Sequence, residues 1–216
     1  MNLETVPQVQ SPASSKGERT KARILDAAYD SIIQKGFAGT SIDELVEATG
    51  ITKSGFFYHF RDKSDLARQL LVRFLAEDDA VIDSLKARAE QLVDDPLQQF
   101  LLFLNLYAEL VDEMDALHPG CLVAAVVYQE QVFDAEVRRL NSEAVMRWRE
   151  RFLAWLEAID RKHQPVTPLD RLALADALSA IVEGAIVLAK ALDDRALMGR
   201  QLRLFRDMVK TTYGVA

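Results

Sequence analysis

Between residues 41 and 63 the chain gathers short polar side chains, two lysines and a run of aromatics: Ser41, Thr52, Lys53, Ser54, Gly55, Phe56-Phe57-Tyr58-His59-Phe60 and Lys63. On a wheel of 100° per residue, Phe56, Phe57 and Phe60 fall together, suited to packing against neighbouring helices. Ser54, Gly55 and Tyr58 fall opposite, with His59 at the edge, and Lys53 lies in the first turn with reach past the helix end. The outward face therefore offers hydroxyls, a phenol, an imidazole and an ammonium, and no bulky aliphatic group. Such a set can hydrogen-bond base edges and phosphates in a DNA groove. It includes neither a nucleophile–base pair nor a metal-ligand cluster.

The elements that hold these groups are short helices. Ser41-Ile42-Asp43-Glu44 is a capping box, in which hydroxyl and carboxylate satisfy free amides at a helix start. The helix it opens runs to about Thr49, buries Ile42, Leu45 and Val46, and breaks at Gly50. Thr52 can cap a third helix over about residues 53–60. Two short helices joined at a glycine fit a helix-turn-helix, whose second helix lies in the major groove. Ahead of them, Ile24, Leu25, Ala28, Ile32 and Ile33 share one helical face from Arg19 onward, and Gly36 supplies a stop. A glycine inside a helix costs about 1 kcal/mol relative to alanine. Gly55 is explained either by close approach to a groove or by a tight crossing of helices.

Residues 19–66 resemble the DNA-binding signature of the tetracycline-repressor-type (TetR) family. The resemblance rests on Arg23-Ile24-Leu25-Asp26-Ala27-Ala28, Gly36-Phe37, Ser41, Gly50, Ile51-Thr52-Lys53, Phe57-Tyr58-His59-Phe60, Lys63 and Asp65-Leu66. It implies that Thr52, Lys53, Ser54 and Gly55 read bases and that Tyr58, His59 and Lys63 contact phosphates. Ser41 would combine capping with a phosphate contact. Lys53 to guanine is the expected direct readout, since Lys can donate to O6 and N7. Phe57 stands where the family often has Tyr; it either meets a thymine methyl or only packs. Thr52 as a bare cap, His59 as an internal hydrogen-bonding residue, and Lys63 and Lys21 as solvated charges remain the plainer alternatives.

The rest of the chain reads as longer helices near 63–90, 97–115, 120–130, 134–161, 168–192 and 195–212. Pro96, Pro119-Gly120, the stretch from Pro165 to Pro168 and Asp193-Asp194 separate them. No segment shows strand alternation. The expected fold class is all-α, with an N-terminal three-helix helix-turn-helix domain followed by a larger helical bundle for ligand binding and dimerisation. Residues 1–17, polar and rich in Ser, Pro and Gln, are expected to form a disordered arm, 18–63 the DNA-binding domain and 64–216 the effector-binding and dimerisation domain.

The family resemblance further implies a homodimer through the last two helices, double-stranded operator DNA as partner, and a small-molecule effector among the middle helices. Leu172, Ala175, Leu178, Ile181, Val182, Ala185, Ile186 and Ala189, then Leu202, Phe205, Met208 and Val209, are the apolar positions of those two helices, and Gly184 allows close packing there. Candidates to line an effector pocket are Phe100, Phe103, Leu104, Tyr107, Tyr128, Phe133, Trp148, Phe152 and Trp155, pointing to an apolar or aromatic molecule. A plain aromatic core is the competing reading of the same stripe.

Composition bounds the alternatives. The net charge is −7, yet residues 1–63 carry eight basic and eight acidic residues, so the acidic excess lies outside the segment assigned to DNA. Cys121, the single cysteine, excludes an intrachain disulfide and a multi-thiolate metal site; it is expected to be a buried, inert thiol rather than a redox sensor. His118 is expected to be structural or at the surface, and Asp112, Glu113 and Asp115 solvated. No phosphate-cradling glycine loop, HExxH or Gly-x-Ser-x-Gly motif occurs, so neither an enzyme nor a metal or cofactor is expected. The longest apolar run is too short to span a bilayer, and the N-terminus does not read as a signal peptide; a cytoplasmic protein without a membrane partner is expected. The rival function is a helical dimeric protein-interaction module with weak or structural DNA binding.

Overall fold

The computed structural model describes residues 15–215, all of whose regular structure is helical. The expected disordered arm lies outside the described residues as far as residue 14. Its last three residues do not belong to an arm. Ser15 caps a helix, accepting from the Glu18 amide at 3.2 Å while the Glu18 carboxylate accepts from the Ser15 amide. This capping box starts α1 (Lys16–Gly39) three residues before Arg19.

α1 buries Ile24, Leu25, Ala28 and Ile32 along one face. Its regular backbone breaks at Gly36, with φ 79° and ψ 165°, and the chain then turns Phe37 back into the interior. α2 (Ile42–Thr49) opens on the Ser41–Glu44 capping box and buries Leu45, with Ile42 and Val46 half-buried. Gly50 ends it in the left-handed conformation (φ 64°, ψ 30°) that favours glycine. Thr52 accepts from the Gly55 amide at 3.1 Å and so starts α3 (Lys53–His59).

α4 (Lys63–Leu92) is capped by Asp62 and runs for 30 residues, about 45 Å at 1.5 Å per residue. Its buried side chains enter both hydrophobic clusters of the described protein. Leu66, Leu70, Leu71 and Leu75 join Ile24, Leu25, Phe37, Leu45, Phe56 and Phe60 near the N-terminus. Ile82 and Ala89 join the larger cluster beyond.

That larger cluster is centred on α5 (Pro96–Asp112), which is capped by Asp95 with Pro96 in its first turn. α5 packs most extensively on α9 (Leu197–Thr212) and also on α4 and α7 (Ala135–Asp160). α8 (Arg171–Leu192) lies between α7 and α9. The short α6 (Leu122–Tyr128) turns the other way: Leu122, Val123 and Val126 enter the N-terminal cluster, against α1. Every helix end after residue 63 lies within three residues of its expected place. α8 is long and apolar enough, by length and composition, to cross a bilayer; here it buries Ala175, Leu178, Ala185, Ile186 and Ala189 in the protein.

Candidate functional site

α3 is held from beneath by two aromatic anchors. Phe56 and Phe60 are fully buried, with ring centroids 5.3 Å apart. The opposite side presents Ser54 and Tyr58 to solvent, Tyr58 being 82% exposed. Phe57 departs from its expected place on the packed side: it is 47% exposed and meets Phe56 edge-on at 5.4 Å. It stands 100° round the helix from Phe56, and the strip that α1 and α2 cover is wide enough only for Phe56 and Phe60. The outward surface of α3 thus carries one aromatic hydrocarbon face beside its polar groups.

Gly55 has no neighbour that requires a glycine. A Cβ there would meet only Thr52 Oγ1 at 3.4 Å and Ile51 Cβ at 3.8 Å, both in its own turn. Among the described residues no other helix crosses at this point, which removes the packing explanation. Lys53 is exposed and pairs with Asp43 of α2 at 2.8 Å. A surface ion pair of this kind is worth about 0–1 kcal/mol, so the ammonium is readily released to a stronger partner.

Ser41 is exposed, and its oxygen accepts from the Glu44 amide at 3.2 Å, which leaves its own hydroxyl hydrogen free to donate. The Glu44 carboxylate is tied to Lys35 at 2.8 Å. His59 is half-buried; burial, helped by Lys21, lowers its pKa and favours the neutral ring, a donor through one nitrogen only. Lys63 is not free at the surface. Its ammonium donates to the Phe37 carbonyl and sits 4.3 Å from the centroid of the Phe37 ring. Burial lowers its pKa, with Glu44 pulling the other way. That bond uses one of the ammonium's three N–H donors, so a phosphate contact would draw on the others.

Two residues hold this region together in ways no short motif announced. The Asp65 carboxylate, nearly buried, accepts from the Arg61 amide (3.1 Å), Arg68 (2.7 Å) and Gln69 (3.1 Å). The i+3 and i+4 spacing of Arg68 and Gln69 from Asp65 was the available signal. Gln129, just past the end of α6, accepts from the Phe37 amide at 2.9 Å across a separation of 92 residues. Nothing local marks it.

The second candidate site is a cavity of about 90 Å3 between α4, α5, α7 and α8. Tyr107, Trp148 and Phe152 line it, joined by Phe74, Asp78, Cys121 and Glu183. Phe100 and Phe103 do not. They stack within the closed core at 6.2 Å and pack on Trp155. Tyr128 is 75% exposed at the end of α6, which stops there short of residue 130. Phe133 packs on Phe37 in the N-terminal cluster, and Leu104 is core. Burial, together with the Glu183 carboxylate, pushes the Cys121 thiol up to about 12, so it is a poor nucleophile. Of the midsection acids, Asp112 is paired with Arg203. No group of three or more His, Cys, Asp or Glu is placed to hold a metal among the described residues.

A short helix set on aromatic anchors, presented after a left-handed glycine turn and bare of apolar packing demands on its outer face, defines a helix-turn-helix DNA-binding head on an all-helical body. Known proteins agree. Residues 24–70 match the family model described as bacterial regulatory proteins, tetR family. The probable HTH-type transcriptional regulator ArpR of Pseudomonas putida is 28% identical over 128 residues, 58% of this chain and 49% of that protein. The chain therefore spans about half the length of that relative, and the same holds for TtgR of Pseudomonas putida. An uncharacterised HTH-type regulator of Lactococcus lactis is 23% identical and covers 90% of the chain and 93% of its own length. A solved TetR-family regulator from Agrobacterium tumefaciens superposes with a TM-score of 0.74 at 26% identity, over 89% of this chain and 98% of that one. The head of the chain is thus similar to the DNA-binding region of the tetR family of bacterial regulatory proteins, and its whole fold to that of a solved TetR-family regulator.

Proposed function

We propose that this protein is a cytoplasmic transcriptional repressor that binds a palindromic operator as a homodimer and is released by a small-molecule effector. The observation that carries the reading is the outer face of α3. There Ser54 and Tyr58 are exposed, Lys53 is held only by a surface pair, and Gly55 has only Thr52 and Ile51 of its own turn against it. Ser41, Thr52 and Phe57 border that face, with His59 and Lys63 behind it at the start of the body.

Dimerisation is supported by apolar side chains left without cover on the last two helices. Leu172, Val187, Leu188 and Leu192 of α8 and Leu204 and Met208 of α9 are exposed. Gly184 on α8 has open space where a Cβ would stand, room for a second helix to come close. Pairing these faces with their copies would set two α3 helices at the half-site separation of about 34–36 Å. The effector would act through α4, whose Phe74, Asp78 and Ile82 border the cavity and whose first turn carries Lys63 and Asp65. Moving that helix alters the separation of the two heads. To take operator occupancy from 99:1 to 1:99 the effector must prefer the released state by about 5.5 kcal/mol.

The test is selection from a random duplex pool at near-physiological salt. Enrichment of a palindrome with half-sites about one helical turn apart is expected, with binding that weakens steeply as salt rises. No enrichment by folded, dimeric, ligand-free protein would overturn the repressor reading in favour of a protein-interaction module.

A further inference from the structure

The cavity has an unbalanced wall. Tyr107, Trp148 and Phe152 supply aromatic surface, while Asp78 from α4 and Glu183 from α8 supply two carboxylates. The basic groups nearby have partners elsewhere, although Arg151 Nη1 is buried without a hydrogen-bond partner of its own. Arg151 is paired with Asp79 at 3.0 Å and Asp83 at 3.4 Å, and Lys190 donates to the Pro119 carbonyl. His118, the basic residue in the lining itself, has its pKa lowered by burial and by Lys190, so it favours the neutral form.

The Oδ2 atom of Asp78 is buried and accepts no hydrogen bond from the protein. Buried carboxylate oxygens are costly to leave unmet, and native proteins nearly always partner them. Burial and the neighbouring Asp79 push the Asp78 carboxyl up to about 6, against the pull of Arg151 and Trp148. At about 6 the carboxyl is mostly ionised at neutral pH, and although Trp148 donates to the group, its Oδ2 lacks a donor of the kind the fold supplies to Asp65.

We infer that this cavity binds a protonated primary or secondary amine carried on a small apolar or aromatic body. Each part of the wall selects for one property of such a molecule. The carboxylates of Asp78 and Glu183 favour a cation and would repel an anion. An ammonium N–H can donate to Asp78 Oδ2, which a neutral hydrocarbon or a quaternary ammonium cannot. The faces of Trp148, Tyr107 and Phe152 suit both the apolar body and, through their quadrupoles, the positive charge. The inference rests on reading the cavity as the effector site, and it replaces "apolar or aromatic" with a defined charge and a defined donor.

The test uses one carbon skeleton in four forms: 2-phenylethylamine, its N,N,N-trimethyl derivative, 2-phenylethanol and phenylacetate. Each is titrated calorimetrically into the full chain, into Asp78→Asn and into Glu183→Gln, with thermal melts establishing that the variants fold. The primary amine should bind about tenfold or more tightly than the alcohol or the trimethyl form, and phenylacetate weakest of all. Asp78→Asn should remove that preference and leave the affinity for the alcohol within about twofold; Glu183→Gln should weaken both cations and spare the alcohol. Alcohol or carboxylate binding as well as the amine, no binding by any of the four, or an undiminished amine preference in folded Asp78→Asn would overturn the inference. Operator binding, measured with and without the amine, separates the two claims. An amine bound through Asp78 that leaves operator affinity unchanged upholds the cation site and refutes its role as effector site.

Discussion

Gly36 and Gln129 allow a prediction that can be worked through from the structure. Gly36 sits at φ 79° and ψ 165°, a region almost reserved for glycine, where another residue costs about 1–3 kcal/mol. A Cβ at Gly36 would stand 2.2 Å from Gln129 Nε2 and 2.8 Å from its Oε1, far inside contact distance. Gly36→Ala must therefore also expel the Gln129 side chain, and with it the bond to the Phe37 amide, worth about 1 kcal/mol. The expected total is about 2–4 kcal/mol, against about 1 kcal/mol for Gln129→Ala alone. Because the bond can be lost only once, the double variant should be no less stable than Gly36→Ala, giving a coupling of about 1 kcal/mol. Urea unfolding of all four proteins at one fixed protein concentration measures the cycle. If Gln129→Ala costs as much in the Gly36→Ala background as in the unmodified chain, the two residues do not interact as described and the reasoning fails.

Thr52→Ala should destabilise the protein by about 1 kcal/mol through loss of the α3 cap, with Thr52→Ser close to the original; equal melting temperatures for all three would contradict the capping role. Burial alone would raise the Asp65 carboxyl, but the Arg61 amide, Arg68 and Gln69 hold it at about 2. Its folded pKa is below its unfolded value, so its contribution is complete above about pH 4 and is lost as pH falls toward about 2. The amount is on the order of 2 kcal/mol, and acid unfolding of Asp65→Asn should lack that part of the slope. At pH near 8 a thiol reagent should label native Cys121 about a thousandfold more slowly than a free cysteine, since only thiolate reacts. Labelling at the free-thiol rate in the folded protein would contradict its burial.

Much of the head could be read directly because its signals are local. The Ser41–Glu44 box, Gly50 and Thr52 each act within four residues, and each performs the capping its type and spacing imply. The Ser15–Glu18 box carries the same signal, but it lies inside a polar stretch with no apolar periodicity beside it. Helical periodicity also gave the body, since apolar spacing identifies which face is buried. It does not say what a buried face meets. Phe100, Phe103, Tyr107, Trp148, Phe152 and Trp155 share one kind of pattern, yet the first two and the last close the core while the other three border a cavity. That distinction depends on the packing of α4, α7 and α8 around them, as does the placing of Asp78 and Glu183 on one cavity. Phe57 shows the same limit: a wheel gives its angle but not the width of the strip that α1 and α2 cover.

The N-terminal cluster does not stop at residue 63. It takes in the first turns of α4, and from beyond residue 120 it receives Leu122, Val123, Val126, Phe133 and Val137. A hybrid regulator made by joining the first 63 residues of one relative to the remainder of another would therefore match half of one interior with half of a foreign one. Such grafts should recover solubility only when the segment from Leu122 to Val137 is exchanged along with the head. The interchangeable cassette of this protein is thus discontinuous in the gene, two separate stretches of codons encoding one packed unit.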